Sequence, residues 1–164
     1  MTNIAEISIS GFIHESDQVK VVIKSAVDQD FSFSPKEGMK PLKDLINHLA
    51  QIPSLDFSFY KMDIEKIEQA QKMEKDLNRE TIDEIVEVFE KGIKRVVAYF
   101  KGMQDKEFLE EKIVPCYMKG PPKAWAYYLS EMTRHLAMHK MQLWMYLKLD
   151  GAPVDMMTYY GISS

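Results

Sequence analysis

Apolar residues recur at three- and four-residue intervals in four long segments of this chain, and no stretch alternates convincingly as a strand would. That pattern predicts an all-α fold, a four-helix bundle formed as one domain over residues 1–164. The first segment, from about Ser10 to Gln29, places Phe12, Val19, Val22, Ile23 and Ala26 on one face. Pro35 and Gly38 break the pattern between Asp30 and Lys40, so this stretch is expected to be a connection. The second helix opens near Pro41 and carries Leu45, His48, Leu49 and Ile52 inward, and Pro53 is expected to end or kink it. Ser54 to Asp76 is expected to be helical in part, with Asp63 near Lys66, adding a short helix or helices between the second and third long ones.

The third helix starts at Thr81, with Asp83 and Glu84 in its first turn where the helix dipole favours negative charge. Ile82, Ile85, Val86, Phe89, Ile93, Val96 and Phe100 form its core stripe. Asp105 to Gly120 lacks a period and is expected to be a loop, with a short extended piece at Lys112 to Met118. Pro121 and Pro122 are expected to start the longest helix, which runs to about Leu149 and is stopped by Gly151 and Pro153.

Composition narrows the function. The 164 residues carry a formal net charge of −4, which gives no basic footprint for nucleic acid. One Cys excludes an internal disulfide framework and a Cys-based zinc finger. No apolar run approaches the ~20 residues of a membrane span. Met1 to Ser16 has neither the basic leader nor the apolar core of a secretory signal. A cytoplasmic protein that engages neither nucleic acid nor membrane is expected. The 12 Met residues are spread along the chain, as core filler is, rather than clustered as in a copper site.

The four His concentrate the chemistry. His135 and His139 lie four apart in the longest helix, about 40° from each other on one face, the spacing that offers two imidazoles to one ion. HxxxH alone also arises in core helices by chance. His48, however, sits on the inward stripe of the second helix, so three of the four His fall on core faces. Burying three imidazoles together without a shared partner is costly. His14 falls away from the apolar face and is expected at the surface.

Further residues line this face. Glu131, one turn before His135, is placed to hydrogen-bond a ligand imidazole, act as a base or bind the metal, and is the candidate catalytic residue. Asp44 stands in the same relation to His48. Both positions equally suit surface carboxylates. Gln142 is a candidate donor to the site, and Tyr128 and Tyr146 are core or pocket wall. Cys116 is either a reactive thiol or, more ordinarily, a partly buried one.

At these residues the chain resembles the DinB/YfiT-like superfamily of four-helix metalloproteins. The resemblance rests on Asn47-His48-Leu49 and on EMTRHLAMHKMQLWMYLKL from Glu131 to Leu149, followed by Asp150-Gly151-Ala152-Pro153-Val154. It covers His135, His139, Lys140, Gln142, Gly151 and Pro153. The Lys140-Met141 pair departs from it, since many relatives carry Arg-Gly there. The resemblance implies that His48, His135 and His139 bind one divalent transition-metal ion, Zn, Ni or Fe. It also implies a transferase of detoxification or stress response that joins a small-molecule thiol to an electrophile. The alternatives are a hydrolase using a metal-bound hydroxide, and a metal-binding stress protein without turnover.

A homodimer is expected through the back of the long helix, where Ala126, Ala137, Met141 and Trp144 make an apolar strip facing away from His135. In the alternative, Ser54 to Asp76 or the tail with Tyr159 and Tyr160 folds over that strip.

Overall fold

The computed structural model describes residues 3–162. They form seven helices: α1 (Ile4–Lys24), α2 (Leu42–Tyr60), α3 (Ile67–Leu77), α4 (Ile82–Phe100), α5 (Asp105–Glu110), α6 (Trp125–Leu149) and α7 (Met156–Tyr159). The β pairing found among the described residues is one isolated antiparallel bridge between Ile113 and Lys123. The fold is all-α, and α3 is the additional helix expected after the second long one.

Local signals set the helix ends, and some differ from the periodicity. α1 begins at Ile4, not Ser10, because Asn3 and Glu6 form a capping box: Asn3 Oδ1 accepts from Glu6 N–H at 2.7 Å and the Glu6 carboxylate accepts from Asn3 N–H at 3.3 Å. Asp105 Oδ1 takes a further first-turn donor, Ile4 N–H, at 2.7 Å. Asp105 itself opens α5, a short helix where an irregular loop was expected. α6 starts at Trp125 rather than at Pro121, since Lys123 is held extended by its two backbone bonds to Ile113.

Pro53 does not end α2; the helix passes through it to Tyr60. Proline inside a helix costs ~3 kcal/mol, but the turns beyond it bury Phe57 and Tyr60, which are 2% and 4% exposed. Burial of each such side chain contributes ~1.5–3 kcal/mol, enough to offset the break. α4 fits closely here because its contact residue is Gly92. A Cβ at that position would lie 2.8 Å from Ser54 Oγ and 3.0 Å from Pro53 Cβ. Asp63 pairs with Arg95 of α4 at 2.7 Å rather than with Lys66.

The four long helices pack in a closed order. α1 lies against α4 and α6, and α2 lies against the same two helices. Phe12, Val19, Val22, Ile23, Leu42, Leu49, Ile85, Phe89, Val96, Leu136, Leu143 and Leu147 fill the core between them. α3 attaches to α2 through a satellite cluster of Leu55, Ile64 and Ala70.

The strip on the back of α6 differs from expectation. The C-terminal tail covers Trp144: its ring meets Tyr159 edge-on at 5.7 Å, and its Nε1–H donates to the Asp155 carbonyl at 2.8 Å. Met141 stays exposed, together with Met138, Met145 and Leu149. Trp144 therefore offers no free surface to a second copy. No helix is long and apolar enough to cross a membrane.

Candidate metal centre

Packing of α2 on α6 brings His48 over the His135–His139 pair. The ring centroids are 4.7 Å apart for His48 and His139, 4.9 Å for His135 and His139, and 5.6 Å for His48 and His135. One nitrogen from each ring lies within 4.8 Å of the other two. Modest ring rotations close such a set to the ~3.4 Å edges of a tetrahedral site with ~2.1 Å bonds. Among the described residues, no Cys, Asp or Glu joins the three. A three-imidazole set with a free position is the arrangement of reactive sites rather than of closed structural ones.

Two Nδ1 atoms are already engaged. His135 Nδ1 lies 2.9 Å from Asp56 Oδ2, and His139 Nδ1 lies 2.9 Å from Gln142 Oε1. Both partners accept, so they hold the proton on Nδ1 and leave Nε2 with its lone pair for a ligand. His48 Nδ1 faces Glu74 Oε1 at 4.0 Å. Asp56 and Gln142 thus stand hydrogen-bonded behind two of the imidazoles, while Glu74 is too far from His48 for a hydrogen bond.

Two of the imidazoles, His48 and His139, are biased towards the neutral form. Burial pushes His48 down to about 4, aided by the positive charges of His139, Lys40 and His135. Burial also lowers His139, against the opposing pull of its bond to Gln142. Neutral imidazole is the ligating form. It also fixes a pH dependence. The unfolded chain takes up a proton at His48 near pH 6.5, whereas the folded chain does so near 4. Stability of the metal-free protein is therefore expected to fall as pH drops from 6.5 towards 4, and this share is fully lost below 4. Thermal unfolding across that range, with His48→Gln for comparison, measures it; an unchanged slope in the variant refutes the assignment.

The other sequence candidates are distributed around the triad. Glu131 borders a recess of about 420 Å³ beside His135, but its carboxylate is bound to the Arg134 guanidinium. The hydrogen bond to a ligand imidazole is made by Asp56, which the sequence reading passed over. Asp44 lines a second recess, beside His48. Gln142 does reach the site, as an acceptor rather than a donor. Tyr128 and Tyr146 are core: their hydroxyls donate to the carbonyls of Ile113 and Lys40. Cys116 is exposed, and so is His14.

Replacing Asp56 by Ala is expected to weaken metal binding by about 10–100-fold, the usual cost of losing a carboxylate behind a ligand imidazole. Competitive titration with a chelating dye measures this. Wild-type affinity in Asp56→Ala would remove Asp56 from the site.

No protein-family model matches the chain, and no curated protein is detectably similar to it.

Proposed function

We propose that His48, His135 and His139 hold one divalent transition-metal ion, and that the protein is a metal-dependent transferase of the DinB/YfiT-like four-helix-bundle type that joins a small-molecule thiol to an electrophile. The observation that carries this is the convergence of three imidazoles from two helices, with one recess beside His48 and another beside His135. An ion with free positions acts as a Lewis acid that lowers the pKa of a thiol or a water brought to it. The roles of the chain are more specific. Asp56 and Gln142 keep Nε2 of His135 and His139 aimed inward. The recess at His48 and the one at His135, of about 540 and 420 Å³, give two reactants separate approaches to one point. In conjugation by substitution, the thiol gives its proton to solvent, an S–C bond forms, the bond from carbon to the leaving group breaks and that group departs as an anion. No further reactant is needed.

Hydrolysis is the second reading, and it calls for a base such as Glu131 within hydrogen-bond reach of the metal water. Glu131 borders the correct recess, but its pairing with Arg134 argues against that role. The homodimer belongs to the same proposal. It is supported by Met138, Met141, Met145 and Leu149, which leave an apolar stripe on α6 at helical spacing.

The test loads the protein with zinc and supplies L-cysteine with 1-chloro-2,4-dinitrobenzene, or p-nitrophenyl acetate alone. Zinc-dependent conjugation that His135→Ala abolishes is the expected result. Zinc-dependent ester hydrolysis without conjugation overturns the transferase reading in favour of the hydrolase.

A further inference from the structure

The recess at His48 has walls unlike those of an ordinary groove between helices. It lies between α2 and α3, with Lys40 at its rim, and every side chain lining it is polar. α3 is secured by its apolar contact at Leu55 and Ile64 and, within the recess itself, by Gln51, whose Nε2 donates to the Glu74 carbonyl and to Asn78 Oδ1. None of the charged side chains in the lining makes these contacts. Four charged side chains face this space: Lys40 and Lys75, Asp44 and Glu74. Lys40, Lys75 and Asp44 form no ion pair among the described residues, and Glu74 approaches only His48, at 4.0 Å. Elsewhere on the surface opposite charges do find each other, as Lys43 does Glu80 and Lys72 does Asp76. Two cations and two anions thus share one recess without neutralising one another, and a metal-ligand candidate forms part of its wall. Its volume, about 540 Å³, lies within the ~300–1,000 Å³ typical of small-molecule sites.

We propose that this recess binds the charged end of a zwitterionic, amino-acid-like thiol. Lys40 and Lys75 take its carboxylate, Asp44 and Glu74 take its ammonium group, and its sulfur is directed to the free side of the triad past His48. The inference rests on the thiol reading above and names the class of thiol. Each charge on the ligand meets two opposite charges in a partly enclosed space, where such contacts are worth more than in open water. A ligand lacking one of those charges leaves its partners unpaired.

Cobalt(II)-loaded protein separates the two claims, because thiolate coordination adds a charge-transfer band to the cobalt spectrum. The probes are L-cysteine, 3-mercaptopropionate, which lacks the ammonium group, and cysteamine, which lacks the carboxylate. The variants are Lys75→Gln and Asp44→Asn, at exposed positions that do not ligate the metal. Lys75→Gln is expected to weaken cysteine and 3-mercaptopropionate about tenfold and to leave cysteamine unchanged. Asp44→Asn is expected to weaken cysteine and cysteamine and to leave 3-mercaptopropionate unchanged. A band that forms with all three thiols and is insensitive to both variants overturns the recess assignment while leaving the thiol reading intact. A normal cobalt spectrum with no band from any thiol overturns both.

Discussion

Replacing any one of His48, His135 or His139 by Ala is expected to lower zinc or cobalt affinity by more than about a hundredfold. The loss should exceed the roughly 10–100-fold cost of losing an outer partner, because a bond to the ion is lost outright. Two imidazoles that remain cannot define a tetrahedral site. The rings are only half-buried, so truncation should leave the helices intact, and circular dichroism serves as the control. In His135→Ala the Asp56 carboxylate also loses its partner and turns to solvent or to the ion. Full metal occupancy in His135→Ala would sink the triad.

The second large effect concerns stability. Lys140, next to His139 in the chain, turns away from the triad towards α1 and is 2% exposed. Its ammonium group lies 2.8 Å from Glu15 Oε1, donates to Gln18 Oε1, and sits 4.2 Å above the Tyr159 ring. Glu15 Oε1 is buried and receives no well-directed hydrogen bond, so the ammonium charge is what compensates it. Lys140→Ala is expected to destabilise the fold by ~3–5 kcal/mol, the cost of leaving one partner of a buried pair uncompensated. Lys140→Met combined with Glu15→Leu should recover most of that loss, since a packed apolar pair of similar volume replaces the ions without an orphaned charge. Denaturant unfolding of the three proteins decides it. A Lys140→Ala midpoint within experimental scatter of the wild type would show that the pair contributes nothing.

The parts of the fold that were legible in the sequence follow from burial. The apolar stripes on α1, α4 and α6 marked the core because each helix buries one face, and Gly151, at φ +84°, stops α6 where a positive φ favours glycine. The ends were less legible because they depend on partners distant in the chain. The α1 start needs Asp105, and the α6 start needs the bridge from Ile113. The triad was visible because two ligands share a helical spacing and the third lies on a core stripe. Asp56 was hidden by Pro53. Eight residues beyond His48 it occupies the same face two turns on, but only if the helix continues through the proline, and what carries it through is the burial of Phe57 and Tyr60 and the close approach of Gly92. Trp144 was misassigned for a related reason: the periodicity of one helix says nothing about a tail that returns over it.

The candidate ligands come from α2 and α6 alone, and His135 lies 87 positions after His48 in the chain. An ion held by both helices ties the two halves of the chain together, closing a long loop that the unfolded polypeptide would otherwise leave open. It is a staple of the kind a disulfide provides, but one that chelators and acid can withdraw. At a free metal concentration a hundred times the dissociation constant, the folded state gains ~2.7 kcal/mol. A chain of this size has a total margin of only ~5–15 kcal/mol. Its lifetime against unfolding and proteolysis would then follow the metal supply around it, whatever reaction the site performs.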